Sequence, residues 1–125
     1  VTVEGIRYEP FLLRQKIGDM VKYGYPITMG FGRKYRELGD QMRRSMLDMY
    51  RYSVEIDKKY YKKTTAQNLD VELAVLRGLV RMAAEKENFG QKFTPPLSRH
   101  QYETWARLNK EIGRLLGGYI KSLKQ

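Results

Sequence analysis

The sequence predicts an all-α protein, an up-and-down four-helix bundle, on three observations. Apolar residues recur at spacings of three and four through four separate segments. Nowhere do apolar and polar residues alternate as a half-buried strand requires. A chain of 125 residues is long enough for one core and too short for two ordinary ones. Residues 1–125 therefore read as a single domain, with 1–9 as an amino-terminal extension.

The first helix opens at Pro10 in "PFLLRQKIGDMVKYGYP", where a missing N–H costs nothing, and carries Leu13, Ile17, Met20 and Val21 on one face. Gly24 and Pro26 are expected to stop it, and "YPITMGFG" reads as a connection. The second helix is predicted over 33–63, with Leu38, Met42, Met46, Met49, Ser53, Ile56 and Tyr60 in its apolar row. The three methionines suit core filling better than an adaptable partner surface. Thr64 with Gln67 forms a capping box that opens the third helix, through Leu69, Leu73, Leu76, Val80 and Ala83, and Asn88 and Gly90 close it. The fourth helix has the clearest start: Ser98 as cap, Gln101 three positions on, and Leu97 placed to staple against Tyr102. Trp105, Leu108, Ile112, Leu115 and Tyr119 continue its apolar row.

That last helix contains Gly113, Gly117 and Gly118, which together forfeit roughly 3 kcal/mol of helix stability relative to alanine. The unbroken apolar spacing argues that the helix persists through them. Gly113 and Gly117 open the same face, so a close helix contact beside Trp105, within one subunit or between subunits, would offset the loss. A frayed carboxyl end is the alternative for Gly117 and Gly118. Gly18, Gly39 and Gly78 place a glycine inside each of the other helices and suggest further close contacts.

Lysine and arginine total 24 against 14 acidic residues, a formal net charge of +10. Such an excess opposes compaction and attracts phosphate backbones, acidic proteins or anionic surfaces. On the second helix Arg36, Arg43, Arg51 and Lys58 fall within roughly 80° of one another, nearly opposite the apolar row. Arg44 and the lysines of "DKKYYKK" (Lys58, Lys59, Lys62 and Lys63) extend this candidate binding set. Glu37, Asp40, Asp48 and Glu55 sit at helical-neighbour spacing, so part of the charge is paired internally. Any one of these cations suits a solvated, ion-paired face; the stripe as a whole points to a polyanion. Tyr50 and Tyr61 lie between stripe and core, where they can flank the core with hydroxyls in water or stack on unpaired bases.

Catalysis has little to stand on. The chain has no cysteine and a single histidine, His100, which has neither a cysteine nor a second histidine to complete a metal site or nucleophilic pair, and no cofactor is implied. The acidic pairs Asp70/Glu72 and Glu85/Glu87 are two apart and point to different sides of a helix. "GFGRKYRELG" lacks phosphate-loop spacing and follows no strand. With no apolar run long enough to span a bilayer and no signal-peptide core, a soluble cytoplasmic protein without membrane partners is expected.

"HQYETWARLNKEIGRLLGGYIKS" resembles the carboxyl-terminal helix of the accessory variability determinant (Avd) proteins of diversity-generating retroelements. "LDVELAVLRGLVRMAAE", with its spaced arginines Arg77 and Arg81, resembles their third helix, and the order of four helices is similar. Tyr119 stands where that family often has tryptophan, and the first connection reads as longer. The resemblance implies a non-enzymatic bundle that assembles as a homopentameric barrel, binds RNA or DNA, and associates with the retroelement reverse transcriptase and its template RNA. It also implies Arg77 and Arg81 on a charged outer surface and the Gly113–Gly118 segment in packing. A related bundle, of the kind encoded in ribosomal RNA intervening sequences, offers the alternative of a module that docks an acidic protein.

Overall fold

Four helices, α1 (Thr2–Met29), α2 (Arg36–Lys58), α3 (Lys62–Ala84) and α4 (Arg99–Leu123), make up the computed structural model of the chain. It describes the backbone of residues 2–58 and 62–123, and the side chains of 11–58 and 62–123. Among the described residues there is no strand. Each helix packs on its sequence neighbours, and α4 returns to pack on α1, so the four stand at the corners of a square. Polar cross-ties join neighbouring helices. Arg14 in the middle of α1 pairs with Asp57 at the end of α2 at 2.7 Å, and the Ser45 hydroxyl of α2 donates to Glu72 of α3 at 2.7 Å.

The core is the set of rows read from spacing. Leu13, Ile17 and Met20 of α1, Met42, Met46, Met49 and Ile56 of α2, Leu69, Leu73, Leu76, Val80 and Ala83 of α3, and Trp105, Ile112, Leu115 and Tyr119 of α4 are all buried. All three α2 methionines fill the interior. Leu38 and Leu108 are half-buried against it. Three buried hydroxyls satisfy themselves locally or across helices. Ser53 donates to the Tyr50 carbonyl, Thr28 to that of Tyr25, and Ser45 to Glu72.

The helix boundaries correct several expectations. Helix α1 does not stop at Gly24 and Pro26 but runs to Met29, leaving a short connection at Gly30–Gly32 and one 3-10 turn, Arg33–Tyr35. A proline inside a helix costs about 3 kcal/mol. Tyr23, Tyr25, Ile27 and buried Thr28 pack that last stretch onto the core, and their burial offsets the cost. Backward, α1 continues through residues 2–9, so the segment read as an extension is helical. Helix α2 is described to Lys58 and α3 from Lys62, so Lys62 and Lys63 belong to α3 rather than α2 and Thr64 lies inside that helix, not at its cap. Lys59, Tyr60 and Tyr61 lie outside the described residues.

The start of α4 follows the prediction. The Ser98 N–H donates to Gln101 Oε1 at 3.0 Å and the Gln101 N–H donates to Ser98 Oγ at 3.1 Å, a reciprocal capping box. Helix α3 stops at Ala84, with the Asn88 amide donating to the Met82 carbonyl at 3.0 Å. Gly90 then turns the chain at φ +78°, a conformation open to glycine and costly for most side chains.

Candidate functional site

The cations of α2 face outward, as the opposed rows require. Arg36, Arg44, Arg51 and Lys58 are exposed, as are Lys62, Lys63, Arg77 and Arg81 of α3; Arg43 is half-covered. Local carboxylates neutralise some of them. Arg43 pairs with Asp40, Arg51 with Glu55 at 2.9 Å and more loosely with Asp48, and Arg81 with Glu85 at 3.4 Å. Among the described residues no ion pair engages Arg36, Arg44, Lys58, Lys62, Lys63 or Arg77.

Packing gathers these charges in ways that spacing did not predict. Around the start of α2, Arg33, Arg36 and Arg43 converge on a 530 Å³ recess floored by Gly39, Phe31 and Thr28. Gly39 is closely surrounded there. A Cβ on it would lie 3.4 Å from both the Phe31 ring and the Thr28 carbonyl, and 3.3 Å from the Arg43 guanidinium. Asp40 also lines the recess and pairs with Arg43, which leaves Arg33 and Arg36 as the guanidiniums that attract an anion there, and arginine suits phosphate through its planar fork.

A second collection lies along the α3–α4 seam. Arg77, Lys110 and Arg114 border a 590 Å³ recess with Asp70 on its edge. Arg77 continues into a 240 Å³ recess with Arg81 and Tyr102. Arg81 and Tyr102 continue into a third, which Arg99 and Glu103 also line. Arg77 and Arg81 thus sit on one track, joined by Lys110, Arg114 and Arg99, which sequence reasoning missed. The signal was present as i, i+4 basic pairs on consecutive helices, but only packing shows that the two faces meet. Carboxylates temper this track: Arg114 donates to Glu111 at 2.6 Å, and Arg99 to Glu103 at 3.4 Å. The Arg114 hydrogen bonds hold the Glu111 carboxyl below its ordinary range, against a weaker opposing desolvation, with the Arg114 and Lys16 charges adding to the effect.

The glycine reading is redistributed. A Cβ on Gly113 would make ordinary contact with Leu73 at 3.5 Å, and one on Gly117 or Gly118 would meet nothing within 4 Å among the described residues. Within the subunit these two glycines mediate no helix approach, and Gly18 and Gly78 are equally open. The close contact is at Gly24, against the Trp105 indole, whose ring also meets Tyr23 edge-on at 6.4 Å.

Two further features were not anticipated. On α3, Val71, Val75 and Met82 are exposed and share with Gly78 a face roughly opposite the core row. Where the start of α2 meets the end of α3, Leu38, Leu79, Met82, Phe89 and Phe93 line an apolar groove of 760 Å³ closed by Tyr35.

His100 is exposed in the first turn of α4, and among the described residues no group of three or more histidine, cysteine or acidic side chains is placed to hold a metal. No helix among them is long and apolar enough to cross a membrane.

No curated protein matches the chain. The sequence profile of the family described as bAvd-like matches residues 11–123, from the first described side chain of α1 to the last residue of α4. Four helices in a ring, the carboxyl-terminal glycine-bearing helix and that match over nearly the whole length agree, and the chain belongs to the bAvd-like family of retroelement accessory proteins.

Proposed function

We propose that the chain is a non-catalytic nucleic-acid-binding protein that acts as a homopentameric barrel. In this reading it associates with a diversity-generating retroelement reverse transcriptase and its template RNA, and supports mutagenic synthesis of complementary DNA. The observation that carries the reading is the outward display of Arg36, Arg44, Lys58, Lys62, Lys63 and Arg77, which no described carboxylate pairs, together with the recess that Arg33 and Arg36 share with the Arg43–Asp40 pair at the start of α2. A polyanion neutralised by these groups releases its counterions, and binding then falls steeply with salt. The apolar face of Val71, Val75 and Met82 supports assembly, because a monomer gains nothing by exposing it. Gly117 and Gly118, open within the subunit, are available to a neighbouring copy.

The test is retention of RNA at near-physiological salt, followed by simultaneous charge reversal of Arg43, Arg44 and Arg51. Loss of RNA with helicity unchanged supports the reading; unchanged retention moves the site elsewhere. Purification from native cells should recover a reverse transcriptase and its template RNA. A second reading, docking of an acidic protein, is favoured by one observation: Arg77 and Arg81 flank the same apolar face of α3. Absence of any RNA binding by the wild-type chain would favour it.

A further inference from the structure

The groove between the start of α2 and the end of α3 has Leu38 and Leu79, packed on the bundle core, in its lining and three rings, Tyr35, Phe89 and Phe93, around them. Phe89 packs edge-on against Tyr35, with centroids 5.3 Å apart at 87°, and the Tyr35 hydroxyl donates to the Thr94 carbonyl, so this wall is held from two sides. Phe93 and Met82, by contrast, leave 42% and 45% of their surface in solvent. The Lys34 ammonium lies 4.7 Å from the Phe93 ring centroid. Gln41 and Asn88 add amide groups to the lining and Glu37 adds one carboxylate.

We propose that this groove is a nucleobase site, in which an unpaired base of single-stranded nucleic acid stacks on Phe93 while the adjoining phosphate meets Lys34. The inference rests on the nucleic-acid reading above and deepens it by naming the strand type. An exposed ring with a cation at its face is the combination that single-strand binders use, because every base offers a π-face and every linkage a charge. The neighbouring surface extends the argument. Arg33 precedes Lys34, and Arg36, Asp40 and Arg43 lie about 100° around α2 from Glu37 and Gln41, so the arginine recess and the aromatic groove flank the same turns of helix. A strand crossing there can place one phosphate in the arginine recess and a nearby base in the groove. Bases held in a duplex stack on one another and cannot enter.

The experiment measures binding of a short oligouridylate, and of an RNA duplex of the same length, to the full chain and to Phe93→Ala. The variant should bind the single strand about tenfold more weakly and the duplex as before, because stacking on one ring is lost. The salt dependence should not change, since no phosphate contact is removed. Phe93→Leu, which keeps bulk without the ring, should be similarly weak, and Phe93→Tyr should restore affinity. Lys34→Ala should instead lower the slope of log affinity against log salt by about 0.7 for the single strand. If the wild-type chain binds neither RNA, the nucleic-acid reading fails and this site with it. If the wild type binds but Phe93→Ala weakens both RNAs equally, or neither, the groove proposal alone falls. A drop in assembly mass by light scattering for Phe93→Ala would make the groove an interface between copies and overturn the proposal.

Discussion

Gly24 of α1 lies so close against the Trp105 indole of α4 that a methyl group on it would come within 2.7 Å of ring atoms Cε2 and Cη2. The indole is wholly buried and cannot move aside, so the absent side chain is what lets α1 and α4 close the ring of helices.

Gly24→Ala should therefore lose about 1–3 kcal/mol to overpacking, despite alanine's better helix propensity. Gly18→Ala and Gly78→Ala, at open helical positions, should gain about 0.5–1 kcal/mol. Urea unfolding followed by circular dichroism measures all three. Gly117→Ala separates two roles: unchanged assembly mass with higher stability would remove it from any contact between copies.

Asn109 is wholly buried on α4, and neither its amide oxygen nor its nitrogen has a partner among the described residues; the same holds for Trp105 Nε1 one turn earlier. An unsatisfied buried amide costs about 1–3 kcal/mol. Replacing it with a similar-sized apolar side chain, Asn109→Leu, should raise stability by a similar amount. A destabilised variant would mean that water satisfies the amide, and ordered density beside Asn109 in a crystal structure would identify it.

Glu111 should titrate below the ordinary carboxylate range, because the Arg114 hydrogen bonds stabilise its charged form. A carboxyl lowered in the folded state contributes stability above its unfolded value, and that contribution disappears as pH falls through the folded one. Because both side chains are largely in solvent, the effect on stability is small and salt-screened. Carbon-detected NMR titration should place the Glu111 midpoint below the ordinary range, and Arg114→Ala should return it there.

Removing cations should separate the ion-paired from the unpaired. Arg44→Ala and Lys58→Ala each delete a charge that no described carboxylate holds, and each should lower the salt slope of duplex binding by about 0.9. Arg51→Ala removes a cation already engaged by Glu55 and should lower it by less. Equal slopes for all three would show that the ion pair opens when nucleic acid binds.

The rows Leu13–Met20, Met42–Ile56, Leu69–Ala83 and Trp105–Tyr119, and the cap at Ser98, were legible because each depends on neighbours three or four residues away. The outward display of the α2 cations followed from the same periodicity, since a row opposite the core has only solvent to face. The sequence by itself thus determined the number of helices, their buried faces and the sign of the surface. Tertiary structure alone decided that α1 passes through Pro26, that Gly24 makes the close helix approach within the subunit, and that Arg33 joins Arg36 and Arg43 at one recess. It also brought Tyr35, Phe89 and Phe93 to one groove. Those outcomes depend on how far each helix is rotated and slid against its neighbours, a choice made by packing energy summed over the whole core, which also outweighs the local cost of a proline or a glycine.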